Sequence, residues 1–244
     1  MLEALGLVVD FLTRAIPAAA GRRRKKKLDD VGSELFLIYF RLNEVIVTAE
    51  RILGVLENYV RRMSQNDGRS HLLEDLTGKS WQTGLLMRQR TNLQEVAELI
   101  FRDRSGLMLI DAPSYNALTP LLDRKMGLIR VLIRAMDGNR LPVAPSAEDI
   151  HCVVSLYALG GQHLDLDSEE MRRVQDRIFA EALSFDDVMD ESTYRAVQRY
   201  LDAENPREQL KRIKGSVSNM RRSLLKHFTV EDMLLRAGDE RFSN

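Results

Sequence analysis

The stretch "LFLIYFRLNEVIVTAERILGVLENYVRRM" (residues 35–63) decides the fold class. Leu35, Ile38, Leu42, Val45, Ala49, Ile52, Leu56, Tyr59 and Met63 follow alternating steps of three and four without a miss. At 44% apolar composition, nine such hits by chance have odds of roughly 0.0006 in a given register. Tyr39, Ile46, Leu53 and Val60 add a second column beside that seam. The apolar stripe is therefore wide enough to face a bundle, broader than a two-stranded coiled coil needs. Its first six residues are apolar all round, as in a helix covered on several sides. The spacing predicts one helix of about 30 residues, near 45 Å at about 1.5 Å per residue.

Working outward, "SQNDGRS" (64–70) turns the chain, and helical patterning resumes over about 71–108. Leu86, Leu93, Ile100 and Leu107 recur every seven residues there, and "TNLQ" (91–94) has the pattern of a capping box that starts a fresh helix. A short turn between long helices makes them neighbours, which predicts a long antiparallel helical hairpin. Beyond it the helices are shorter and better punctuated. Thr119 and Pro120 cap "LLDRKMGLIRVLIRAM", which Gly138 closes. Ser146 and Asp149 open a helix that Gly160 and Gly161 stop, and further helices are expected over 168–183 and 191–203. Asn205, Pro206 and Glu208 supply the cap, first-turn proline and third-position acid of a helix reaching 227; a last short one follows Thr229. No run alternates with period two, so no sheet is expected. The fold class read from these patterns is all-α: a long antiparallel helical hairpin continued by a bundle of shorter helices. "NRLPVAPS" is the most linker-like segment. It suggests a division into 1–140, with the N-terminal helix, hairpin and a third helix, and 141–244, the shorter helices, unless the two form one continuous domain.

Composition narrows the class of protein. The 244 residues carry no net charge and one cysteine, Cys152, so no internal disulfide can form. Arginine outnumbers lysine 28 to 8, the usage of a GC-rich bacterial genome. No stretch is read as long and apolar enough to span a membrane. The first 21 residues have their charges in the wrong order for a signal peptide, which points to a cytoplasmic protein, at most peripheral at a membrane.

Charge is unevenly spread. Residues 146–191 hold 12 acidic and 3 basic side chains, and residues 192–226 hold 3 acidic and 9 basic. Complementary neighbouring helices would explain this. The sharper feature is Arg22, Arg23, Arg24, Lys25, Lys26 and Lys27, six consecutive cations. They follow a first helix expected over 2–16 and ended by Pro17 and Gly21. That helix has a narrow polar stripe of Glu3, Asp10 and Arg14, and an apolar face including Leu5, Val8, Val9, Leu12 and Ile16. Either the face packs on the bundle, or it enters a membrane or partner while the cations supply the electrostatic half of a two-signal anchor.

Machinery for catalysis is scarce. No glycine-rich phosphate loop is present. His163, Asp165 and Asp167 alternate in "GQHLDLDSEE" but lack the glycine and final glutamate of a calcium loop, so ordinary cap chemistry explains them. His151 and Cys152 are adjacent, which turns them apart on a helix. No metal site, cofactor or small-molecule substrate is expected. Trp81 stands alone, and exposed aromatics for stacking bases are not evident beside the cations.

One motif does suggest chemistry. In "RRSLLKH" (221–227), Arg222 precedes His227 by five residues. This resembles the Arg-x4-6-His motif of HEPN-type ribonucleases, and the resemblance rests on those two residues. It implies an all-α, metal-independent ribonuclease with Arg222 and His227 serving RNA cleavage; Ser223 stands where that family usually has a more polar residue. Against it, Leu210, Ile213, Val217, Met220 and Leu224 form a seam whose next position is His227, where a packed histidine is the plainer outcome. The leading expectation is a non-enzymatic interaction or scaffold protein whose N-terminus contacts a polyanionic surface, an anionic membrane first. A protein partner or self-association would go with it. The ribonuclease is the alternative, and a polybasic nucleic-acid binder the third reading.

Overall fold

The computed structural model describes residues 2–26, 31–65, 84–102, 121, 127–137, 140–143, 150, 169–185 and 190–230. Among them the fold is all-α apart from one small strand pair. The helices are α1 (Leu2–Lys26), α2 (Val31–Gln65), α3 (Met87–Arg102), α4 (Leu128–Asp137), α5 (Glu169–Ala180), α6 (Glu191–Glu204) and α7 (Pro206–His227).

The decisive stretch is one unbroken helix, α2. Eight of its nine seam residues, Leu35 through Tyr59, are buried, and Met63 is half-buried at the end. Of the second column, Ile46 and Leu53 are also in the core. The all-apolar start is only partly covered: Phe36, Leu37 and Tyr39 are half-buried, and Phe40 is 49% exposed.

α2 is flanked by α3 and α7. Against α3, Arg41 Nε meets Glu95 Oε2 at 2.7 Å, and Leu86 joins Ile52, Leu56 and Tyr59 in one cluster. Leu86, Leu93 and Ile100 are all buried, as their heptad spacing predicts; Leu107, the turn at 66–70 and the segment 71–83 lie outside the described residues. The capping-box reading of "TNLQ" fails. Thr91–Gln94 sits inside α3, where Asn92 and Leu93 are buried and Gln94 hydrogen-bonds to Glu98 one turn on at 2.9 Å. A cap motif competes only where the helix has a reason to stop, and the apolar face here continues through it.

The first helix also departs from expectation. α1 does not stop at Pro17; it runs through to Lys26. An interior proline deletes one backbone hydrogen bond and costs about 3 kcal/mol. Burial on both sides of Pro17 offsets that cost: Ala15, Ile16, Ala19 and Ala20 are in the core while Pro17 itself faces solvent. Arginine and lysine are good helix formers, and cations are favoured at a helix C-terminus. The window Ala4–Gly21 is in fact long and apolar enough to cross a membrane, with mean hydropathy 1.4, contrary to the stricter sequence reading. More than half of it is buried within the fold, as for a core helix.

α7 is the main partner of α1. Its seam of Leu210, Ile213, Val217, Met220 and Leu224 is buried throughout, and His227 is half-buried. Asn205 ends α6 in the left-handed region (φ 42°, ψ 57°) and begins α7 at once. Its carbonyl accepts from the Glu208 and Gln209 amides at 3.0 and 3.3 Å, whereas its side chain makes no cap bond. The cap is therefore where the sequence puts it but acts through the backbone, and asparagine is there because it tolerates positive φ.

Part of the segment read as most linker-like, residues 140–143, is described. Arg140–Leu141 forms a strand, β1, paired antiparallel with Leu183–Ser184, β2. Two residues are too few for alternation to reveal. This pair, together with Leu86, Phe185 and Val197, closes the far end of α2, around Ile52–Tyr59. The main core joins α1, α2, α3 and α4 to α5 and α7, so it draws on both sides of residues 140–141. The expected helix caps at Thr119, Pro120, Ser146 and Asp149, the glycines 138, 160 and 161, and the last helix beyond Val230 lie outside the described residues.

Candidate functional site

The geometry of α1 and α7 brings two cationic helix ends together. Leu2 shares an apolar crevice with Pro206 and Leu210. Four residues on, Gly6 lies against Ile213, whose Cγ1 is 3.6 Å from where a Cβ would stand. The two helices thus run in the same direction, and equal steps place Ala20 level with His227. α1 continues six residues further to Lys26, about 9 Å at 1.5 Å per residue. Its backbone carries Arg22, Arg23, Arg24, Lys25 and Lys26 past the last buried positions, Ala19 and Ala20. Lys27 lies outside the described residues.

The five residues considered for a membrane or partner face have a different place. Leu5, Val8, Val9, Leu12 and Ile16 are each 2% exposed or less and belong to the main core with α7 and α2. Covering a side chain of this kind contributes about 1.5–3 kcal/mol. In the folded chain that face is occupied by the protein's own helices, so the apolar half of the two-signal anchor is not available on α1.

α7 carries most of the basic C-terminal charge, and two of its cations pair with α2. Arg207 forms a two-pronged pair with Glu57, its Nε 2.7 Å from Oε1, and Lys214 pairs with Glu50. Hydrogen bonding and the charge of Glu57 hold the Arg207 guanidinium more firmly protonated than usual. Both pairs step by seven on each helix, which makes α2 and α7 antiparallel. Locally, Glu169 of α5 pairs with Arg173, and Glu181 just past the helix pairs with Arg177. Position 221 would be the next rung, opposite 43, but residue 43 is asparagine and donates its amide to the Tyr39 carbonyl at 2.9 Å. Arg221 is exposed and makes no ion pair among the described residues.

Arg222 and His227 lie on the last turns of α7. Arg222 is exposed and donates to Asn219 Oδ1; His227, half-buried, is the final helical residue. Five helical steps turn about 140° around the axis. The two side chains make no hydrogen bond to each other.

A cleft of about 550 Å³ opens between β2, α5 and α6, with Arg177, Glu181, Arg199, Tyr200 and Glu204 on its walls. Sequence reading did not anticipate it, because it depends on the β1–β2 pairing. Burial, and then the charge of Glu204, pushes the Tyr200 hydroxyl well above its ordinary range. At the start of α6, a hydrogen bond from Ser192 lowers the Asp190 carboxyl. Tyr200 therefore stays neutral at ordinary pH. Among the described residues no cluster of three or more His, Cys, Asp or Glu is placed to hold a metal. His151, Cys152, His163, Asp165, Asp167 and Trp81 lie outside the described residues.

The signal missed in the sequence is on the polar faces. Phe40 and Val47 on α2 are 49% and 45% exposed, and Leu225 on α7 and Val230 just past it are 55% and 62% exposed. Leu225 falls off the 210–224 seam by spacing alone, so it was open to detection. No family model matches the chain, and neither a curated protein nor a solved structure matches it significantly.

Proposed function

We propose that this chain is a non-enzymatic interaction protein whose cationic end, Arg22–Lys27, docks on a polyanionic surface, an anionic membrane above all. The observation that carries the reading is the extension of α1. Its basic turns follow Ala19 and Ala20, the last core positions of the helix. A run of six cations in a chain of zero net charge concentrates potential at one end. Each cation near an anionic leaflet contributes about 1 kcal/mol, screened by salt.

The test replaces all six with Gln in the full-length chain. Thermal stability is expected to change little, because none of the six belongs to the apolar seams of the sequence. Sedimentation with vesicles containing phosphatidylglycerol is expected to be lost, and raising salt should lose it in the parent. If the parent ignores vesicles but binds RNA or DNA through the run, the polyanion is nucleic acid.

A further inference from the structure

We infer that the same end of the bundle carries its own apolar contact for the lipid surface, built from Leu225, Val230 and Phe40 and not from α1. This rests on the polybasic reading and supplies the half that the burial of Leu5, Val8, Val9, Leu12 and Ile16 removes.

The placement follows from two registers. α1 and α7 run parallel, so their C-terminal turns share one end of the molecule. α2 runs against α7, since Arg207 pairs with Glu57 and Lys214 with Glu50. Continuing those steps of seven sets Arg221 opposite Asn43 and residue 228 opposite Phe36. Leu225 then faces the first turns of α2, where Phe36 is half-buried and Phe40 exposed. Three large apolar side chains on this end are each about half or more exposed. Around them stand Arg221 and Lys226, both exposed and neither in an ion pair among the described residues. The ladder that neutralises α7 stops at position 43, immediately before this end.

Charge complementarity selects the occupant. Exposed apolar residues ringed by cations, next to five further cations on α1, match the boundary between anionic headgroups and acyl chains. An acidic protein would also satisfy the charges. A bilayer additionally accepts separate apolar side chains without a shaped pocket. Contact through the bundle's end would bury Leu225 and Val230 to the depth of the interface, with α1 and α7 pointing toward it.

The experiment is sedimentation of the full-length protein with phosphatidylcholine vesicles, with and without phosphatidylglycerol. Leu225→Ser is expected to weaken partition into anionic vesicles by about tenfold or more, the loss when one buried leucine returns to water. Phe40→Ser should act in the same direction, and Leu225→Trp should restore binding because tryptophan favours the interface. Arg221→Gln together with Lys226→Gln should cost about tenfold or more, an effect that shrinks in salt. Melting temperatures should stay close to the parent's, since all four side chains are exposed. Loss of binding in the six-cation variant with full binding by Leu225→Ser and Phe40→Ser overturns this inference and leaves the polybasic reading standing. Full binding by the six-cation variant overturns the polybasic reading itself. No vesicle binding by the parent overturns both.

Discussion

Leu12→Ala measures whether α1 is core. Leu12 is wholly buried in the cluster that joins α1 to α7 and α2. Truncating a leucine in such a setting costs about 2.7–5 kcal/mol, because the cavity adds to the lost transfer energy. A domain's total stability is about 5–15 kcal/mol, so the change removes a large part of it. With a urea slope near 3 kcal/mol per molar, the unfolding midpoint should fall by about 1–1.7 M. The assay is urea titration followed by helical circular dichroism, with the slope compared between parent and variant. Asp10 and Arg14 supply the control, because both are exposed on the same helix. Asp10→Ala and Arg14→Ala should change stability by no more than about 0.5 kcal/mol each. A Leu12→Ala midpoint equal to the controls would refute the packing of α1 on α7. Combined with lost vesicle binding, it would restore α1 as the membrane half.

Other outcomes follow from single sites. Gly6→Ala should stabilise by about 0.5–1 kcal/mol, because its Cβ would meet Ile213 at an ordinary 3.6 Å; destabilisation in chemical denaturation would put the α1–α7 register in error. Tyr200 is raised in the fold, so its contribution is complete below the ordinary tyrosine value of about 10 and is lost as pH rises above it. Tyr200→Phe should therefore lose less stability than the parent between about pH 9 and pH 11, read from urea midpoints. A double-mutant cycle on Glu50 and Lys214 should give a coupling under about 1 kcal/mol that declines with salt. His227→Ala should cost less than about 1 kcal/mol, since the ring is only half-buried; loss of an RNA-cleaving activity with unchanged melting would favour the ribonuclease.

The sequence made the longest helix legible because its core lies on one continuous stripe. Leu35 to Tyr59 record that stripe without interruption, and α7 records its own through Leu210–Leu224. Punctuation was less reliable. Pro17 and Gly21 are genuine local stop signals, yet packing at Ile16, Ala19 and Ala20 outweighs them. At Thr91–Gln94 a start signal lies inside a helix whose apolar face simply continues. Two-residue strands at Arg140 and Leu183 leave no periodic trace, so the cleft they help form was invisible as well. The ion pairs of α7 depend on the relative register of elements some 150 residues apart. Glu50, Glu57, Arg207 and Lys214 show their spacing of seven in the sequence, but nothing there says the two series meet.

That register also explains why one end of α7 differs from the rest. Where α2 offers a glutamate, the facing cation is neutralised and contributes to the seam between the helices. At Asn43 the series breaks, and Arg221 keeps its charge for solvent or a ligand. Beyond it, Phe36 and Leu225 replace the polar rim with apolar side chains. A seam selected for stability alone would continue the glutamates or close the apolar contact. Asn43→Glu tests this directly: it should add an ion pair to Arg221, stabilise the fold by no more than about 1 kcal/mol, and weaken anionic vesicle binding. A stabilised variant that binds vesicles like the parent would mean the break serves folding geometry and not docking.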